Sequence, residues 1–146
     1  MQQPQEQKTP GKLKILWVDD DARDLYSYSS EFRHRGFQVV TCDAYSLGLS
    51  LLKRHDFDLI VVSQGKPSFE GRCILEHARR LAPHTPVLIL ANHADVGVYL
   101  EAMDMGAADY FEKTPNPADL VCRIDAYLSQ VNHPPGAKSP GRRSFG

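Results

Sequence analysis

The stretch DLIVVSQGKP, residues 58–67, decides how this chain is read. Leu59 to Val62 form an unbroken apolar run, and Ser63, Gln64 and Gly65 then turn the chain polar. A half-exposed strand alternates apolar and polar residues, whereas an unbroken run bounded by turn residues marks a strand covered on both faces. Such strands belong to parallel sheets flanked by helices, and ligands gather outside the carboxyl ends of their strands. Ser63 stands at such an end.

Outward from this strand the same pattern repeats. Strands are expected at 13–18 (LKILWV), 37–42 (FQVVTC), 58–63, 86–91 (PVLILA) and 108–112 (ADYFE). Helices are expected between and after them, at 22–36, 44–55, 72–82, 96–106 and 117–131. Leu25, Tyr28 and Phe32 recur at helical spacing ahead of Gly36, and Leu47, Leu51 and Leu52 are expected on one face of the second helix. Pro117 suits the first position of the last helix. Strands alternating with helices give an α/β fold, a doubly wound parallel sheet covered on both faces.

Composition narrows the function classes. The chain has 146 residues, 42% of them hydrophobic and 24% charged, which suits one domain with its own core. A formal net charge of -1 gives no global argument for nucleic acid or for an acidic membrane surface. No apolar run is long enough to span a membrane, and the polar start MQQPQEQKTPGK lacks the apolar core of a signal peptide, so a soluble cytoplasmic protein is expected. Cys42, Cys73 and Cys122 are far apart and odd in number, so they read as buried small hydrophobes rather than a disulfide framework or zinc site. The expected boundaries are a disordered tail at 1–12, one domain at 13–131 and a disordered Pro/Gly-rich tail at 132–146. Lys138, Arg142 and Arg143 make that last tail basic, and a solvated linker end is the simpler reading than a nucleic-acid contact.

The strand ends carry the chemistry. The first strand runs into Asp19, Asp20 and Asp21, the third ends at Ser63, the fourth at Ala91, and Lys113 follows the fifth. In this topology the carboxylates and the lysine converge on one cleft. At this point the sequence resembles the receiver (CheY-like) domains of bacterial two-component response regulators. KILWVDDDARD is similar to the family's first strand and acidic pair, matched by Asp19 and Asp20. DFDLIVVSQGKPSFEG resembles its third strand and following loop, with Pro67 and Gly71. HTPVLILANHAD resembles its fourth strand, and AMDMGAADYFEKTPNPADL its Gly-Ala-x-x-Tyr stretch and lysine, matched by Tyr110 and Lys113. The resemblance covers about residues 13 to 130 and implies a flavodoxin-like sheet in the order 2-1-3-4-5.

The resemblance also implies a mechanism, and this chain departs from it. In receivers an aspartate at the end of strand three attacks a phosphoryl donor. The acidic pair helps to hold Mg²⁺, the lysine offsets phosphoryl charge, and a hydroxyl ending strand four and an aromatic on strand five relay the change. Mg²⁺ needs hard oxygen ligands in octahedral geometry, and positioned cations stabilise phosphoryl transfer. Here Ser63 holds the acceptor position, Ala91 the hydroxyl position, and Thr114 follows Lys113 where the family usually has proline. A serine hydroxyl is a weak nucleophile without a neighbouring base, and no histidine obviously serves; His93, on a loop just after strand four, is the one expected closest to the site. Asp58 is no substitute acid, since five residues of strand separate it from Ser63 by about 16 Å. Ser63 is expected to fill the space without accepting phosphate. Lys113 is expected to pair with Asp19 or Asp20, no cofactor is implied beyond Mg²⁺, and its binding to Asp19 and Asp20 is expected to be weak or absent.

The leading reading is a stand-alone receiver-like module, not an enzyme, that acts through protein contacts. The resemblance implies a sensor kinase, another response regulator or a second copy as partner, met through the fourth helix, fifth strand and fifth helix, where Asp109 and Arg123 match charged positions. No output domain follows in the sequence, so direct gene regulation is not expected. One alternative is a small-ligand sensor whose acidic cleft is walled by Trp17, Asn92 and Tyr110. Another is a metal-dependent hydrolase using Asp19, Asp20 and His93.

Overall fold

The computed structural model describes residues 13–131, of which Val131 is described by its backbone alone. The two expected tails, 1–12 and 132–146, lie outside the described residues. The elements follow in the order β1 (Lys14–Val18), α1 (Ala22–His34), β2 (Gln38–Cys42), α2 (Tyr45–Arg54) and β3 (Leu59–Ser63). They continue as α3 (Arg72–Leu81), β4 (Val87–Ala91), α4 (Val96–Asp104), β5 (Asp109–Glu112) and α5 (Pro117–Val131). The strands form one parallel sheet in the order β2-β1-β3-β4-β5. The sequence of β1 therefore reverses direction of winding between β2 and β3, and the crevice at that switch point opens at Asp19 and Ser63.

Burial on both faces explains the unbroken apolar strands. Every residue of β3 and β4 is buried. Along β3 the side chains divide between two cores. Ile60 and Val62 join Leu16, Val18, Ile74, Leu75 and Ile89 on one face. Leu59 and Val61 join Trp17, Phe32, Leu88, Leu90, Leu120 and Ile124 on the other. Adjacent residues of one strand thus serve opposite layers, as the two-residue period of a strand requires. Each fully buried Leu, Ile or Phe contributes about 1.5–3 kcal/mol, so the sheet centre supplies most of the driving force.

The α1 helix begins in the acidic triplet. Asp21 caps it, its carboxylate accepting from the backbone N–H groups of Arg23 and Asp24 at 3.0 Å each. The third aspartate is therefore used up in helix initiation, while Asp19 and Asp20 stay at the strand end.

Two expectations are corrected. Leu47 is 47% exposed, and α2 instead buries Gly48 and Leu52, with Leu51 at the edge. The Cβ position of Gly48 would lie 2.9 Å from a Val18 methyl, so helix and sheet approach too closely there for a larger residue. Among the cysteines, Cys42 is buried, Cys73 half-buried and Cys122 exposed, so the buried reading fits only the first. Among the described residues no helix is long and apolar enough to cross a membrane.

Candidate functional site

The carboxyl ends of β1, β3 and β4 and the loop after β5 meet around a cleft of about 250 Å³, lined among others by Asp20, Ser63, Asn92, His93 and Lys113. A larger cavity, about 450 Å³, opens at the opposite end of the sheet against Asp58 and Tyr127. Asp58 thus faces away from Ser63, as its place at the start of the strand dictates.

Asp19 sits behind the cleft, wholly buried. Its backbone N–H donates to the Cys42 carbonyl at 3.1 Å, which fixes the strand end, and its Oδ1 accepts from the Asp21 N–H at 2.9 Å. Its Oδ2 lies 2.8 Å from Lys113 Nζ. The same ammonium donates to Asp24 Oδ2 at 2.9 Å. Lys113 is anchored by its own N–H, which donates to the Ala91 carbonyl at 2.7 Å, and its side chain is only 6% exposed. Burial opposes its charge, but Asp19 and Asp24 outweigh that and hold its pKa above the ordinary value. Burial also pushes the Asp19 carboxyl upward, and Lys113 only partly offsets this. The ammonium is enclosed by the two carboxylates.

The lysine therefore pairs with Asp19 and Asp24, not with Asp20, which stays exposed at the rim. Asp24 is the residue that sequence reasoning missed. It lies 89 residues from Lys113 along the chain. The available signal was its position in the first turn of a helix that starts at the site, three residues past the Asp21 cap.

Ser63 is 4% exposed. Its carbonyl accepts from the Tyr45 hydroxyl at 3.1 Å, and burial with the nearby Asp20 and Asp19 charges drives that phenol far above its usual pKa. The loop that follows folds back tightly. A Cβ on Gly71 would run into the Ser63 carbonyl oxygen. Gly65 has φ +88, and a Cβ there would lie 2.7 Å from the Tyr45 hydroxyl. Both glycines are thus demanded by geometry, one by close approach and one by a left-handed backbone. Among the described residues the cis peptide bond is Lys66–Pro67, in this loop, and not the bond after Lys113.

Ala91 ends β4, buried and without a hydroxyl. Tyr110 does not line the cleft. Its hydroxyl donates to Gln64 Oε1 at 2.8 Å and accepts from the Asp95 N–H at 3.0 Å. Trp17 is not a cleft wall either. It is fully buried in the other layer, stacked on Tyr28 at 5.8 Å and edge-on to Phe32 at 5.3 Å. Asn92 is at the cleft, as expected. His93 is exposed there, and among the described residues no group of three or more His, Cys, Asp or Glu side chains is placed to hold a metal ion. The hydrolase reading therefore gains no ligand set.

Asp109 opens β5, half-buried, with its carboxylate accepting from the Tyr110 N–H at 2.8 Å. Arg123 is exposed on α5. Next to them α4 presents Val96, Tyr99 and Leu100, exposed by 74, 41 and 59%.

A doubly wound 2-1-3-4-5 sheet, an acidic strand end and a lysine after β5 define a receiver-type signalling domain. The comparisons agree. The family model described as the response regulator receiver domain matches residues 15–125. The chain belongs to that family, the receiver domains of two-component systems. It is 34% identical over 118 residues to the transcriptional activator protein PfeR of Pseudomonas aeruginosa, covering 81% of this chain and 38% of that protein. It is 27% identical over 116 residues to the cell cycle transcriptional regulator CtrA of Caulobacter vibrioides, covering 80% and 50%. The chain thus matches half or less of these relatives, and their activity as whole proteins is not carried over. Among solved structures, a CheY-like receiver domain protein from Methanospirillum hungatei superposes with a TM-score of 0.74 at 28% identity, covering 82% of this chain and 96% of that one. DrrB of Thermotoga maritima, an OmpR/PhoB homologue, gives 0.71 at 27% identity, covering 82% and 54%.

Proposed function

We propose that this receiver domain signals by protein contact and accepts no phosphoryl group at residue 63. The observation that carries this reading is Ser63 at the acceptor end of β3, a hydroxyl where the reaction needs a carboxylate. Activating a serine requires a base within hydrogen-bond reach, and the one histidine lining the cleft, His93, is exposed at its rim. The residues also fit Mg²⁺ poorly. The family's third carboxylate is missing, and the inner oxygen of Asp19 already faces an ammonium at 2.8 Å. Asp24 restores a negative charge near the site, but its carboxylate is directed at Lys113 too. Octahedral coordination would need that arrangement undone.

Contact then falls to the surface of α4, β5 and α5. Val96, Tyr99 and Leu100 give it an apolar centre, with Asp109 and Arg123 as polar surroundings. Aromatic and aliphatic anchors inside a charged rim are the usual composition of an interface core. A sensor kinase, another response regulator or a second copy of this chain is the partner in this reading, in the cytoplasm where such systems signal.

The test is intact mass after incubation with acetyl phosphate and Mg²⁺. Wild type is expected to gain nothing, and Ser63→Asp to gain one base-labile phosphoryl group. A phosphoserine at residue 63 in the wild type would refute the reading. A small-ligand sensor remains the second reading, because the cleft sets Asp20 and Asp21 against Lys66, and so offers both charges to one ligand. Thermal shift of wild type and of Lys66→Ala against metabolite pools separates it, since a ligand held in that cleft raises the wild-type midpoint and loses that effect in the variant.

A further inference from the structure

We propose that Gln64 is a positioning residue that fixes Tyr110 and the first turn of α4, a task the family assigns to a phosphoryl group and a strand-four hydroxyl. Gln64 is itself anchored: its backbone N–H donates to the Leu90 carbonyl at 2.6 Å, and its carbonyl accepts from the Gly71 N–H at 3.0 Å. From that fixed base its side-chain oxygen accepts the Tyr110 hydroxyl proton at 2.8 Å. The phenol oxygen in turn accepts from the Asp95 N–H at 3.0 Å. Asp95 is the α4 cap, its carboxylate accepting from the Val98 N–H at 3.1 Å. One chain of three hydrogen bonds thus runs from the residue after Ser63 to the start of α4.

The chain has direction and cooperativity. Tyr110 has one hydroxyl proton and gives it to Gln64, which leaves its lone pair for Asp95. A donor that is also an acceptor polarises both bonds. The ring of Tyr110 also meets Tyr99 edge-on, 5.6 Å between centroids at 75°. Tyr99 and its neighbours Val96 and Leu100 are the exposed apolar residues of α4. The orientation of that surface is therefore tied to Gln64 through Tyr110. Ala91 contributes no hydroxyl to compete for the phenol.

Amide hydrogen exchange of the full chain by NMR, without any phosphoryl donor, tests this. Removing one neutral hydrogen bond typically shifts a local opening equilibrium by about three- to tenfold. Gln64→Leu should speed exchange at Asp95 and Val98 by that factor and leave the β3 and β1 amides unchanged. Tyr110→Phe should do the same or more, since it removes both bonds of the phenol. The double variant should be no faster than Tyr110→Phe alone, because the two residues act through one chain. Gln64→Glu keeps an acceptor at the same reach and should stay within about twofold of wild type. Unchanged exchange in Gln64→Leu would overturn the proposal, as would additive effects in the double variant or failure of Gln64→Glu to rescue. Since no donor is added, the outcome is independent of whether residue 63 accepts phosphate, and either result leaves the mass test above intact.

Discussion

Replacing Lys113 with methionine keeps the apolar stem and removes the charge that faces Asp19. Asp19 is fully buried, and its Oδ2 lies 2.8 Å from the ammonium. At an effective dielectric of about 20, unit charges at that distance attract by roughly 6 kcal/mol before either is desolvated. Removing one partner of a buried pair typically costs about 3–5 kcal/mol. Protonation sets a ceiling on that cost. At about 1.36 kcal/mol per pH unit, giving Asp19 a proton at pH 7 costs about 4 kcal/mol from an unfolded pKa near 3.9. Lys113→Met is therefore expected to lose about 3–4 kcal/mol at pH 7 but only about 1.5 kcal/mol at pH 5. The sign follows from linkage. Without its partner the folded pKa of Asp19, already raised by burial, rises further, so the folded state holds the extra proton and stability falls as pH rises between the unfolded and folded values. Urea unfolding at pH 5, 6, 7 and 8 measures this. Adding Asp19→Asn should abolish this added slope, because the buried carboxyl that causes it is gone. A deficit under about 1 kcal/mol at pH 7, the range of exposed pairs, or one independent of pH, would refute the buried Asp19–Lys113 geometry.

Alkaline stability is a second test. Burial raises the Cys42 thiol from 9.0 to about 11. Between those values only the unfolded chain ionises, so stability should fall from about pH 9 upward, by roughly 2–3 kcal/mol in all, and Cys42→Ala should flatten the first part of that slope. Tyr45 and Lys113, both raised, add losses of the same sign above 10.0 and 10.5. On the surface, Leu100→Glu should leave urea stability within about 0.5 kcal/mol. The same variant should abolish self-association in sedimentation, or capture of a purified receiver or kinase, whichever the wild type shows; unchanged binding would exclude the α4 face.

The fold was legible because β3 and β4 are covered on both sides, which leaves an unbroken apolar signature that no surface element imitates. Trp17 was misplaced because a residue two positions before Asp19 shares the strand but not the solvent. The Tyr28 and Phe32 side chains of α1 close over it. Leu47 was misjudged because helical spacing alone does not choose between neighbouring faces, and Gly48, which permits the close approach, carries no hydrophobic signal. Within the site, Asp19, Ser63, Lys113 and Asn92 follow from strand ends, which sequence can locate. Asp24 and Gln64 do not, since each acts on a residue distant in the chain, 89 positions for Lys113 and 46 for Tyr110. Those pairings depend on the rotation of α1 and on the fold-back of the β3–α3 loop.

The packing that specifies this fold ends at Val62, one residue before the chemistry would begin. That separation explains how a receiver domain can retain its structure while its acceptor residue is a serine. An aspartate at 63 would set a third carboxylate beside Asp19 and Asp20, with the buried Lys113 facing Asp19. Like charges at that spacing repel, and burial adds a desolvation cost that a bound metal ion normally offsets. Serine keeps the volume small and brings no charge, so it adds no third carboxylate for a metal ion to offset. Asp24 acts in the same direction, supplying Lys113 with a second internal anion. Function and stability are opposed at such sites, and relaxing the first commonly raises the second. Ser63 and Ala91 leave both cores untouched, and the same scaffold presents Val96, Tyr99 and Leu100 on α4.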